Sequence, residues 1–135
     1  MQVLINKIRS SINLSSEAEQ YIFSIAIEKK VSKGEVLIRQ GQTVNKTFFV
    51  VHGSLRSFCL DKEGKEHTLQ FAIKDWWISD FMAIYNNEPA SLKVECISDS
   101  AVIEFNVQKL NEIYLRFPEF EPFQRKNLER HLVSL

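Results

Sequence analysis

The chain is poor in the residues that break or staple a fold: its 135 residues include four glycines, three prolines and two cysteines. With so little Gly and Pro there is no low-complexity linker, and no internal repeat divides the chain, so its length fits one domain with a single real core. Two cysteines cannot build a disulfide framework or supply the four thiolates of an iron–sulfur cluster. Cys59 and Cys96 lie in strand-like runs and read as reduced, buried thiols of a cytoplasmic protein. Lys plus Arg and Asp plus Glu each number 17, the formal net charge is zero, and no long single-sign run occurs. A chain without a concentrated basic face does not grip nucleic acid by itself. The start, M-Q-V-L-I-N-K-I-R-S-S-I, is too polar and interrupted for a signal peptide, and no apolar run reaches membrane-spanning length. His52, His67 and His131 are scattered, without a spacing that would bring two imidazoles onto one ion, and no nucleophile elbow is present.

What is present changes period twice. Ser16 followed by Glu19 reads as a capping box, and Ala18, Ile22, Ile25 and Ala26 recur at helical spacing until Glu28-Lys29-Lys30 closes the segment. From Val36 onward the period becomes two. Short β-rich runs occur at 48–51, 55–60, 94–97 and 101–105, and Leu69, Phe71 and Ile73 alternate with Thr68, Gln70 and Ala72. Leu69, Phe71, Ile73, Ile103 and Phe105 are therefore expected in the core. Asp61-Lys62-Glu63-Gly64-Lys65 reads as a hairpin with glycine in the left-handed position. Trp76 and Trp77, if extended, point to opposite faces, and Phe48, Phe49, Phe58, Phe71 and Phe81 are counted as core or pocket wall. After Phe105 helical spacing returns with Val107, Leu110, Ile113 and Tyr114, is interrupted at Phe117-Pro118, and resumes towards the end. Leu128, Leu132 and Leu135 follow the four-then-three spacing of a coiled-coil seam; spacing alone fits packing onto the same molecule equally well.

Between Lys33 and Asp80 the chain reads K-G-E-V-L-I-R-Q-G-Q, F-F-V-V-H-G-S-L-R, D-K-E-G-K-E and D-W-W-I-S-D, with Gly34, Gly41, Gly53 and Gly64 at the turns. This order resembles the cyclic-nucleotide-binding domain of the Crp/Fnr family of bacterial transcription regulators, well over Lys33–Phe105 and loosely in the helical flanks. The resemblance implies a mainly β fold, an antiparallel β-roll or jelly roll at about 31–105, with N-terminal helices at about 1–30 and C-terminal helices at about 107–135. It also implies a homodimer through the last helix, at Leu128, Leu132 and Leu135, and a helix-turn-helix DNA-binding domain lying beyond Leu135.

In that family the effector lies inside the roll against a short helix, and the resemblance places this cassette at Ile78–Tyr85. Members that bind a cyclic nucleotide carry a Gly-Glu pair and then an Arg-Ser pair; the matching positions here are Ser79, Asp80, Ala90 and Ser91. Candidate ligand residues are accordingly Ser79, Asp80, Phe81, Ser91 and Lys93, for a cyclic nucleotide or another small anionic effector. The alanine at position 90 removes a bidentate guanidinium, and Leu135 stands where the family reads the purine, so the sequence argues against classical cyclic AMP binding. Asp80 equally suits plain N-capping of a helix at 81–85, and the alternative for Lys93, which the residues favour, is to point to solvent on an edge. Three functions remain: a non-catalytic effector sensor of a regulator, a free-standing interaction domain with an empty pocket, and a cupin-type enzyme. The histidine scatter disfavours the last.

Overall fold

A computed structural model describes residues 1–134, the side chains of Leu132 and Ser134 excepted. Two helices come first, α1 (Gln2–Arg9) and α2 (Ser16–Ile25), where sequence spacing predicts one. Eight strands and one short helix follow: β1 (Ile27–Val31), β2 (Val36–Ile38), β3 (Lys46–His52), β4 (Leu55–Leu60), β5 (Glu66–Ala72), β6 (Trp77–Ile78), α3 (Phe81–Asn86), β7 (Lys93–Cys96) and β8 (Ser100–Asn106). The chain then forms α4 (Val107–Arg116), a 3-10 turn at Pro118–Phe120 and α5 (Glu121–Ser134), so the break at Phe117-Pro118 falls where expected.

The strands make two four-stranded antiparallel sheets, ordered β1-β8-β3-β6 and β2-β7-β4-β5, that face each other as a jelly roll. Phe48, Val50, Leu55, Val94 and Val102 fill the space within the roll. Phe49, Ile103 and Phe105 point the other way, into a second cluster with Leu4, Ile22 and Phe123 of the helices. The central strands β3 and β8 are thus covered on both faces, which is why they read as continuous apolar runs.

Three expectations are corrected. The N-cap of α2 is Ser15, whose Oγ accepts from the Ala18 amide at 3.1 Å, one residue earlier than the capping box predicts. Glu28, Lys29 and Lys30 do not end a helix. They belong to β1, a charged edge strand on β8, where Lys29 Nζ reaches Glu104 Oε1 at 2.8 Å. Leu69, Phe71 and Ile73 are 46%, 64% and 57% exposed, whereas Ile103 and Phe105 are buried as expected. The phase of β5 is set by its register: Ala72 lies opposite Leu55 and Gln70 opposite Ser57, both facing the roll, so Phe71 opposite Arg56 must face out. Gln70 is tolerated inside because its Nε2 donates to the Trp77 carbonyl at 3.1 Å.

The Asp61–Lys65 hairpin forms as expected, with Asp61 Oδ1 accepting from the Glu63 and Lys65 amides and Gly64 at φ +81°. Gly53 is required for a second reason besides its φ of +95°: a Cβ there would lie 2.6 Å from Ser100 Cβ and 2.7 Å from Ser100 Cα.

Candidate functional site

The cassette starts where β6 ends. Ser79 is buried and spends its hydroxyl on the Lys46 carbonyl at 2.6 Å, which fixes the exit of β6 against β3. Asp80 follows, with no exposed surface. Its Oδ1 accepts from the Ala83 amide at 3.0 Å and caps α3, as capping chemistry predicts. Its Oδ2 reaches a different segment, accepting from the Ser91 amide at 2.9 Å, the Leu92 amide at 3.1 Å and the Ser91 hydroxyl at 3.5 Å. α3 closes on Asn87 in the left-handed conformation, φ +54°, and residues 89–91 are sewn to the β2–β3 connection. Ala90 donates to the Gln42 carbonyl and accepts from the Gly41 amide, both at 2.8 Å, while Gln40 Nε2 donates to the Ser91 carbonyl at 3.0 Å.

Ser79, Asp80 and Ser91 are therefore brought together, although Ser79 faces the backbone of β3. Lys93 is not part of the group. Val94 and Cys96 point into the roll, so Lys93 on the same strand points out, where its ammonium lies 5.8 Å from the Phe58 ring and Arg56 covers that ring at 4.0 Å. Ser91 precedes the regular strand, so its two-residue spacing from Lys93 does not put the two side chains on one face. Phe81 turns towards α5, its ring edge-to-face with His131 at 4.7 Å between centroids. Burial lowers the pKa of His131. Ala90 is buried and lends the site no charge.

The two tryptophans diverge as expected. Trp77 packs among Phe49, Phe105 and Phe123, with its Nε1 buried and unpartnered. Trp76 lies under the guanidinium of Arg130 from α5, 3.5 Å from the ring centroid, and Arg130 Nη1 donates to the Asp75 carbonyl at 3.1 Å. Asp75 holds φ at +73°, a left-handed value. Desolvation lowers the Arg130 pKa, partly offset by Asp75. Trp76, Lys126, Glu129, Arg130 and Val133 line a groove of about 320 Å³ at this junction. Sequence reasoning does not find Arg130, because no local spacing links α5 to a tryptophan more than fifty residues earlier.

Of the seam leucines, Leu128 is 42% exposed, while the Leu132 side chain and all of Leu135 lie outside the described residues. Among the described residues no group of three or more His, Cys, Asp or Glu could hold a metal ion, and no helix is long and apolar enough to cross a membrane.

The family described as the cyclic nucleotide-binding domain matches this chain over residues 28–117. The transcriptional activator protein Anr of Pseudomonas protegens is 24% identical over 91 residues, 67% of this chain; the chain spans 36% of that activator's length. The sensor domain of the transcriptional regulator DNR from Pseudomonas aeruginosa superposes with a TM-score of 0.77 at 17% identity, over 96% of this chain and 86% of that one. The Thermus thermophilus catabolite activator protein superposes with a TM-score of 0.72 at 18% identity, over 90% of this chain and 57% of that one. At these identities the superpositions speak for the fold, and they agree with the jelly roll and flanking helices built above.

Proposed function

This chain belongs to the cyclic nucleotide-binding domain family, and from that premise we propose that it is the effector-sensing and dimerisation domain of a cytoplasmic Crp/Fnr-type transcription regulator, without catalytic activity of its own. The observation that carries the reading is the physical continuity between the cassette and the last helix. Asp80 caps α3, the next residue Phe81 meets His131, and Arg130 holds α5 to the turn preceding β6. A ligand that shifts α3 has a direct mechanical path to α5, and α5 carries the exposed Leu128 on which a second copy would pack.

Ser79, Asp80, Phe81 and Ser91 are the proposed sensing residues, and Leu128, Leu132 and Leu135 the proposed seam. Lys93 is an anion contact only if an effector binds on the outer face, where its ammonium lies. Cyclic AMP is not the proposed effector. Ala90 offers no guanidinium, and the Ser91 amide that would face an anion is engaged by Asp80. DNA recognition belongs, in this proposal, to another part of the regulator, as the balanced charge of this chain supports.

Sedimentation equilibrium combined with a thermal-shift screen of small molecules tests the proposal. A dimer whose melting temperature rises with one effector class is the expected result. A chain that stays monomeric at high concentration and responds to nothing would refute it. The dense filling of the roll by Phe48, Val50, Leu55 and Val94 favours one second reading, an interaction domain with a closed pocket. That reading predicts a dimer with no thermal response to any ligand.

A further inference from the structure

Asp80 is a wholly buried carboxyl group, and among the described residues no ion pair reaches it; four neutral donors converge on it instead. Three are backbone amides, from two segments that the Asn87–Ala90 loop separates, and the fourth is the Ser91 hydroxyl. Neutral donors that converge without a cation suit one negative charge, because each N–H contributes a charge-assisted hydrogen bond and leaves no lone pair facing the anion. The segment donating to Oδ2 is itself fixed from behind by Gln40, Gly41 and Gln42, so the donors hold their positions independently of the carboxyl group.

We infer that Asp80 is the resident anion of the roll: its carboxyl group occupies the donor cradle formed by Ala83, Ser91 and Leu92, and so closes the sensor site of this chain to external anions. This inference rests on the proposed reading of the cassette as the sensor site and adds how that site is regulated. The chain keeps α3 joined to the start of β7 without a bound phosphate or carboxylate. An effector acting here therefore has to be neutral or apolar, or to act from outside the cradle, since a phosphate-bearing molecule would have to displace a covalently tethered competitor.

The test uses the whole chain as wild type, Asp80→Ala and Asp80→Asn, melted in sodium chloride and in sodium formate at equal ionic strength. Formate is the missing carboxylate in free form. In chloride, Asp80→Ala should melt lower than wild type by about 5 °C or more. Formate should return part of that loss in a concentration-dependent way, while the wild-type difference between the two salts stays flat. Asp80→Asn retains an acceptor for the Ala83 amide but aims an NH₂ group at two N–H donors, so it should also melt low and gain nothing from formate. If Asp80→Ala does not fold, amide hydrogen exchange at Ser91 and Leu92 in Asp80→Asn, expected to be at least tenfold faster than wild type, carries the test. An Asp80→Ala variant indifferent to formate, an Asp80→Asn variant as protected as wild type, or a wild type stabilised by inorganic phosphate would overturn the inference. A wild type that binds inorganic phosphate and dimerises would leave the sensor proposal standing. A wild type that neither dimerises nor responds to any effector would sink that proposal while a positive formate rescue kept this inference.

Discussion

Removing Arg130 should loosen the end of α5 from the roll without unfolding the roll. α5 is a mostly polar helix, and among its described residues Phe123 alone is buried, near its start. Beyond Phe123 the grip on the body includes Arg130 over Trp76 at 3.5 Å, its donation to Asp75 at 3.1 Å, and His131 against Phe81. A cation–π contact with a tryptophan contributes about 0.5–2 kcal/mol, rising with desolvation. A hydrogen bond from a charged donor contributes about 1.5–3 kcal/mol when partly buried. Ordering a long arginine side chain offsets about 1.5–2 kcal/mol of this. Arg130→Ala should therefore cost about 1–2 kcal/mol of local stability, roughly a five- to thirtyfold rise in the open population of the helix end.

Hydrogen exchange reads this directly. Amides in the second half of α5 should exchange about tenfold faster in Arg130→Ala, with β3 and β8 unchanged. Arg130→Lys keeps the charge but loses the planar face, and should fall between the two. Asp75→Gly keeps the carbonyl that Arg130 uses and relieves the +73° φ but removes the carboxylate that favours the Arg130 charge, so it should leave α5 better protected than Arg130→Ala does and below wild type. A double-mutant cycle of Arg130→Ala with Trp76→Leu should give a coupling of about 0.5–2 kcal/mol. Unchanged exchange in Arg130→Ala, or a coupling indistinguishable from zero, would refute the view that this contact joins the roll to α5.

The turns were legible because each has a local chemical cause. The Asp61–Lys65 hairpin needs a residue in the left-handed region and an acceptor for its inner amides, and Gly64 and Asp61 supply both within five residues. Asp80 was legible as a cap for the same reason. Its second role was not, because the Ser91 and Leu92 amides carry no sequence signal; they become donors only when the 89–91 segment is sewn to residues 40–42. The phase of β5 is not legible from its apolar residues, because on an edge strand hydrophobicity does not by itself mark the buried face. There the partner's register decides, and it places Ala72 and the satisfied amide of Gln70 inside and Phe71 outside. The α2 start differs from its expected position by one residue because Ser15 and Ser16 are equally good caps, and only the Ala18 amide distinguishes them.

Gly53→Ala combines a positive φ with a clash against Ser100 backbone, and should cost about 2–5 kcal/mol, seen as a large fall in melting temperature. Burial pushes the Cys96 thiol up to about 11, so a disulfide reagent at pH 8 should titrate it only after unfolding; prompt reaction of both cysteines would contradict its burial. Because the unfolded thiol ionises first, Cys96 contributes stability at neutral pH that is withdrawn as pH rises past 9 towards 11. Calorimetry with cyclic AMP should show no binding tighter than about 1 μM, roughly 8 kcal/mol, and Ala90→Arg alone should not create it, since Asp80 still holds the Ser91 amide. The seam is tested by Leu128→Asp. Leu128 is 42% exposed in the single chain, so a carboxylate there stays hydrated in a monomer and costs the fold little, but burying it opposite a second copy without a partner is expensive. Sedimentation should therefore give a dimer for wild type and a monomer for Leu128→Asp with the same melting behaviour of the roll. A variant that still dimerises would move the interface elsewhere, and the exposed apolar patch of Leu69 and Phe71 on β5 with Ile73 just beyond it would be the next surface to substitute.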